Sequence, residues 1–153
     1  MSIVLKVKEK FEQITGLPLI YQSEEMVNFL VGENPVPVGI WYLLQDGQVV
    51  SDSASGAIRE RIQARIYVAD VSELDFNAIE NERTIAKCKN ILFNFIAQLK
   101  SDKDLQVDSI NLSRRFYLHT DDILTGYMVD ITISELSGFN KCNYVKDNKQ
   151  NGN

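Results

Sequence analysis

The segment RIQARIYV, residues 61–68, decides the fold class because its apolar residues alternate strictly with larger polar or amphipathic ones. Successive side chains of a strand point to opposite faces of a sheet, so this pattern predicts a β-strand with one buried face. The predicted buried face carries Ile62, Ala64, Ile66 and Val68, and the other face carries Arg61, Gln63, Arg65 and Tyr67. We therefore expect a sheet that other elements cover on its isoleucine face.

Two segments that flank this strand predict helices. Residues 2–14 place apolar side chains at helical spacing, and Gly16 and Pro18 then end the pattern. The second segment begins with a capping signal, SELD at residues 72–75, and extends to Leu99. Its apolar stripe consists of Ile85, Cys88, Leu92, Phe95, Ile96 and Leu99. The second, longer helix is expected to be the main core helix.

The chain before the central strand predicts one further strand and leaves another element open. Residues 38–44 form a nearly unbroken apolar run, which is typical of a strand covered on both faces. The Asp46-Gly47 pair that follows predicts a hairpin turn. Residues 17–21 fit a strand, but Ser23 could equally cap a short helix in this region.

The chain after the long helix predicts two more strands. Residues 105–118 are expected to be extended, and Asp121 and Asp122 predict a turn before the last strand. One face of that strand carries Tyr127, Val129, Ile131 and Ile133, and the other carries Met128, Asp130, Thr132 and Ser134.

The order of these elements predicts an α+β fold: a mostly antiparallel sheet with an N-terminal helix and one long helix packed on one face. We expect a single domain over residues 1–142 and a flexible polar tail over residues 143–153. The predicted shared core contains Ile62, Ile66, Leu92, Phe95, Leu99, Val129 and Ile131.

Composition places the chain among ordinary globular proteins. Hydrophobic residues make up 44% and charged residues 24% of its 153 residues. Cys88 and Cys142 are far apart and there is one histidine, so a disulfide framework or a zinc site is not expected, which favours a reducing compartment. The start of the chain, MSIVLK, predicts neither an export signal nor a membrane span. The net charge of −5 argues against general nucleic-acid binding.

The sequence predicts no enzyme, no cofactor and no metal site. His119 with Asp121 and Asp122 is the one place where an imidazole meets carboxylates, and a turn is the favoured interpretation over a metal-dependent hydrolase. Cys88 lies on the apolar stripe of the long helix, where a buried inert thiol is expected. The common nucleotide-binding and metalloprotease motifs do not occur in the sequence.

Three features predict contact with a partner or with another subunit. Arg59, Arg61, Arg65 and Tyr67 share one strand face, which is either a solvated surface or a cationic-aromatic contact. Phe93 lies beyond the main apolar stripe of the long helix and either forms a second contact surface or packs on its own chain. Residues 51–56, which include Ser53 and Ser55, predict a mobile loop that becomes ordered against a neighbour.

Several segments together resemble a family of assembly proteins. These are ENER at residues 80–83, FNFIAQL at 93–99 and DILTGY at 122–127, followed by Cys142. The pattern resembles phage and prophage tail-terminator or head–tail connector proteins over residues 38–142. Its motifs are patterns of strand and helix rather than catalytic signatures.

The resemblance implies a structural subunit of a tail or neck. Such a protein forms a homo-oligomeric ring of about six subunits that ends growth of the tail tube and joins it to the neck connector. It implies tail-tube and neck proteins as partners, DNA only as passing cargo, no membrane, and location in the cytoplasm of the bacterial host and then in the virion. The alternative outside this class is a small-molecule-binding or regulatory module with an apolar pocket around Trp41 and Tyr127.

Overall fold

The computed structural model describes residues 2–21, 37–51, 58–71, 78–119 and 123–135. In this part of the chain, two helices pack on one face of a five-stranded, mostly antiparallel sheet, which confirms the predicted α+β class. The elements in chain order are α1 (Ile3–Thr15), β1 (Leu19–Tyr21), β2 (Val38–Ser51), β3 (Ile58–Val71), α2 (Ala78–Leu99), β4 (Leu105–His119) and β5 (Ile123–Glu135).

Some predictions fall outside the described residues. These are the capping signal at residues 72–75, the helix capped by Ser23, the turn residues Asp121 and Asp122, and the tail at residues 143–153. Within the described part, residues 17–21 contain the short strand β1, which is one of the two alternatives that the sequence left open.

Helix α1 begins and ends at the residues that local chemistry favours. The Ser2 hydroxyl accepts a hydrogen bond from the Leu5 backbone N–H at 3.3 Å and so caps the first turn. Gly16 ends the helix in the left-handed conformation at φ 70°, which glycine adopts without steric penalty. The apolar side of α1 is fully buried through Ile3, Val7 and Phe11, so the predicted first helix is confirmed.

The strand order of the sheet is β1-β2-β3-β5-β4. Strand β1 is parallel to β2, and all other neighbours are antiparallel. We call the helix-covered side the inner face and the opposite side the outer face. Trp41, Ile66 and Val129 lie side by side on the inner face, and Tyr42, Arg65 and Asp130 form the adjacent row on the outer face.

The main core lies between the inner face and the two helices. All seven residues of the predicted core are buried in this one cluster, together with the apolar side of α1. Phe11 and Phe95 meet there edge to face, with ring centroids 5.0 Å apart. The side chains of Val38, Ile40 and Tyr42 on the outer face are buried as well, which confirms that β2 is covered on both faces at this end.

Gly39 is the point where α1 approaches the sheet too closely for a side chain. A Cβ at this position would lie 2.5 Å from Cε1 of the Phe11 ring. Real Cβ atoms do not come that close to a neighbour, so the docking of α1 on β2 depends on a glycine here.

The predicted hairpin turn at Asp46-Gly47 is wrong. Strand β2 continues through this pair to Ser51, with register shifts between Leu43 and Gln45 and between Gln45 and Gln48. A two-residue hairpin of the Asp-Gly type needs left-handed backbone at both positions, and Gly47 does not have it. The glycine instead leaves room for Glu60 of β3, whose Oε1 would lie 3.0 Å from a Cβ at position 47.

Candidate interaction surfaces

Arg65, which the sequence assigns to a contact surface, is paired within its own chain. Its Nε and Nη2 donate to the two oxygens of Asp130 on β5 at 2.6 and 2.9 Å. Its Nη1 donates to the Tyr42 hydroxyl at 3.2 Å, and that hydroxyl lies 3.2 Å from the Tyr67 hydroxyl. We call these four residues the outer-face network.

Burial and hydrogen bonding fix the charges of two members of this network, Arg65 and Tyr67. The hydrogen bonds with Asp130 raise the pKa of the Arg65 guanidinium above its ordinary value, so the side chain is always charged. Burial raises the pKa of the Tyr67 hydroxyl, which keeps that group neutral. A two-pronged guanidinium–carboxylate pair that is mostly buried contributes more to the fold than an exposed pair does.

Arg61 and Arg59 lie on the same strand face as Arg65, as the alternation predicts. Arg61 Nε donates to Asp108 at 3.1 Å, and the Ser134 hydroxyl donates to the other oxygen of that carboxylate. Arg59 Nε is buried and has no hydrogen-bond partner in the described part of the chain. The structure therefore brings the predicted arginines onto one face, but two of the three are already paired with carboxylates of their own chain.

Among the described residues, strands β2 and β3 extend beyond the other strands of the sheet as a two-stranded arm. Pairing of β3 with β5 begins at Arg61, whereas pairing with β2 continues to Ile58. We define the arm as residues 49–51 and 58–60. On its inner side the Val49 side chain is 73% exposed and Ile58 is 47% exposed. The predicted contact residues Ser53 and Ser55 belong to the connection between these strands and lie outside the described residues.

Phe93 packs on its own chain while remaining 40% exposed. Its ring meets Tyr127 of β5 edge to face, with centroids 5.5 Å apart. The Lys89 ammonium lies 5.6 Å from the Phe93 centroid and 5.9 Å from the Tyr127 centroid, and it forms no ion pair in the described part of the chain. Cation–π contacts of this kind leave the ammonium accessible to a counterion.

A groove with a cationic rim runs between α2 and β4. Its volume is about 540 Å³ and its lining consists of Glu82, Ile85, Ala86, Lys89, Arg114, Arg115 and Tyr127. Glu82 is engaged by Arg115. The Arg114 guanidinium lies on the outer face of the sheet, where its Nε donates to the Met128 sulfur at 3.4 Å. The groove therefore combines an apolar floor with one cation, Lys89, that has no carboxylate partner in the described part of the chain. Trp41, which the ligand-binding alternative places beside Tyr127, is fully buried in the core.

The residues considered for catalysis differ in their surroundings. Cys88 is fully buried, and burial raises the pKa of its thiol to about 11, so at neutral pH the group is an unreactive thiol. His119 is the last residue of β4, while Asp121 and Asp122 lie outside the described residues. Among the described residues, no group of three or more His, Cys, Asp or Glu side chains is close enough to hold a metal ion.

Several elements of these surfaces were not predicted from the sequence. The alternation of the last strand places Asp130 opposite its apolar face, but pairing with Arg65 requires β5 to lie beside β3. The groove requires β4 to lie under the flank of α2, and the arm requires β2 to continue past Asp46-Gly47. Each depends on contacts between segments that are distant in sequence.

No known protein family and no curated protein matches this chain. No helix in the described part of the chain is long and apolar enough to span a membrane.

Proposed function

We propose that this protein is a non-enzymatic structural subunit of a phage or prophage tail or neck, which assembles head to tail into a ring of about six copies. The ring ends growth of the tail tube and joins the tail to the head connector. The observation that carries the proposal is the apolar arm at the end of β2 and β3.

The arm has the properties of an assembly contact. A two-stranded ribbon is only marginally stable in water without further cover, and this one presents Val49 and Ile58 to solvent on the same side. Burial of the surface that these two side chains still expose would stabilise a complex by about 1 kcal/mol each. An arm that projects from one end of a subunit and contacts a different surface of the next makes a head-to-tail interface, which gives a ring when the rotation between copies closes.

The assignment to a tail or neck rests on the resemblance in residues 38–142 and on composition. A structural subunit that acts by binding its neighbours needs exposed contact surfaces rather than a catalytic nucleophile. A net charge of −5 is compatible with a channel through which DNA passes without binding. Tail-tube and connector proteins are the partners that this role requires.

Native mass measurement and electron microscopy of the purified protein test the proposal. We expect rings of about six subunits that form with increasing protein concentration or on addition of the tail-tube protein. The double variant Val49→Asp, Ile58→Asp should remain folded and fail to assemble, because it places two charges in a desolvated contact. The matched control is Leu5→Asp, which changes a half-exposed leucine of α1 and should assemble normally.

A monomer under all these conditions would contradict the proposal. If the arm variant assembles at the same concentration as the wild type, a ring is still possible, but the arm is not one of its contacts. The genes that flank this one provide an independent check, since capsid, portal or tail-tube genes are expected there.

A further inference from the structure

We propose that the groove between α2 and β4 receives the arm of a second copy of this chain, with Glu60 of the arm paired to Lys89 of the groove. This inference rests on the proposed ring and specifies which two surfaces form it. The two surfaces match in chemistry, in charge and in position.

The arm presents a carboxylate beside apolar side chains. Glu60 pairs across the arm with Val49, and Ile58 follows two residues away on the same strand face. Glu60 is partly exposed and has neither a hydrogen bond nor an ion pair in the described part of the chain. Its inner side therefore offers one unpaired negative charge flanked by apolar surface.

The groove presents the complementary pattern. Ile85, Ala86 and Tyr127 supply apolar surface, and the exposed Lys89 ammonium supplies an unpaired positive charge above it. Glu82 lies in the same groove but is already paired with Arg115. An entering carboxylate thus meets the unpaired Lys89 ammonium, and the apolar side chains beside it meet the floor.

The arm of a subunit cannot fill its own groove. The base of the arm is the Arg61–Ser134 pair, and the groove is lined by Tyr127, seven residues earlier on β5. At about 3.3 Å per residue these points are ~23 Å apart, and the arm extends in the opposite direction. An arm that fills the groove must therefore come from another copy, and two different surfaces on each copy give a head-to-tail contact.

Charge exchange tests this pairing. We expect Glu60→Lys and Lys89→Glu each to weaken assembly by about 30-fold or more, because each juxtaposes like charges in a desolvated contact. A 1:1 mixture of the two variants should assemble, since the cationic arm of one fits the anionic groove of the other. The double variant carries the inverted pair within one chain and should assemble alone. Lys100→Glu, at an exposed lysine directly after α2, is the matched control and should behave as wild type.

The outcomes separate this inference from the ring itself. Two results would show that the arm does not occupy the groove while the ring itself stands. In the first, the wild type and both single variants form rings. In the second, the wild type forms rings but neither the mixture nor the double variant assembles, although each protein melts as the wild type does. If the wild type stays monomeric at every concentration, both proposals fall. Restoration by the mixture would establish that residues 60 and 89 meet between copies.

Discussion

Arg65 of β3 donates to both oxygens of Asp130 at 2.6 and 2.9 Å, whereas Lys89 of α2 meets only the rings of Phe93 and Tyr127. Both residues are cations beside an aromatic group. The neighbouring strand β5 supplies the counterion of Arg65, whereas none of the described residues supplies one for Lys89. A cation that is neutralised inside the fold contributes to stability and has little left for a partner. The unpaired cation contributes little to stability and can select a partner.

The largest expected effect comes from breaking the buried pair. Asp130→Ala leaves the Arg65 charge mostly buried without its carboxylate, which should lower the free energy of unfolding by about 3 kcal/mol. Urea denaturation measures this loss. The double variant Arg65→Met, Asp130→Ala should lose less than Asp130→Ala alone, because no unpaired charge remains. Equal losses would mean that the pair does not act as a unit.

The next effect concerns Cys88, which precedes Lys89 on α2 but points into the core. Burial raises the pKa of its thiol to about 11, while in the unfolded chain a thiol ionises near pH 8.5. Between about pH 9 and pH 11 the unfolded state therefore loses a proton that the folded state retains. The free energy of unfolding should fall as pH rises, by about 1 kcal/mol per pH unit from this group.

Cys88→Ala is the control for this pH dependence. Urea denaturation at pH 8, 9 and 10 should give a shallower decline for the variant than for the wild type. Parallel declines would show that Cys88 is accessible to solvent in the folded state and that α2 does not seal the core beside the groove.

Arg61 provides a case between the two cations. Its ion pair with Asp108 is more exposed than the pair of Arg65 with Asp130. The side chain of Arg61 is 33% exposed and that of Asp108 is 18% exposed. Arg61→Ala should therefore lower the free energy of unfolding by about 1 kcal/mol or less, and the loss should shrink in concentrated salt. A double-mutant cycle with Asp108→Ala isolates the pair. A coupling as large as that of Arg65 with Asp130 would erase the distinction drawn between them.

The smallest expected effect on stability is that of Lys89→Ala. It removes only cation–π contacts at an exposed site, so the free energy of unfolding should change by about 0.5 kcal/mol. Thermal melting and urea denaturation of the monomer check this value. A loss near that of Asp130→Ala would mean that Lys89 serves the fold, and its assignment to a partner would lose its basis.

The sequence predicted the fold class because hydrophobic periodicity is a local signal. Alternation in residues 61–68 and the apolar stripe of the long helix predicted which faces meet, and those faces do form one core. The hairpin prediction at Asp46-Gly47 was wrong because the preference of that dipeptide is also local. Pairing of β2 with β3 over their whole length outweighs it.

The candidate surfaces were predicted less completely. That Arg59, Arg61 and Arg65 share a face follows from alternation alone, whereas the identity of each counterion depends on strand order and register. The sheet places β5 beside β3, so Asp130 lies opposite Arg65, and no local pattern indicates this. Phe93 packs on Tyr127 of its own chain, which is one of the two alternatives that the sequence left open. It is still 40% exposed, and its role as a contact surface stays a prediction.

The two register shifts in β2 also determine which way the arm faces. Each shift adds one residue to β2 relative to β3, so the seven residues from Leu43 to Val49 lie opposite only five, from Ala64 to Glu60. One added residue would turn every later side chain of β2 to the opposite face, but two cancel, and Val49 returns to the side of Leu43. Because both shifts fall before Val49, the apolar side of the arm lies on the same face of the sheet as Leu43, which packs against the core.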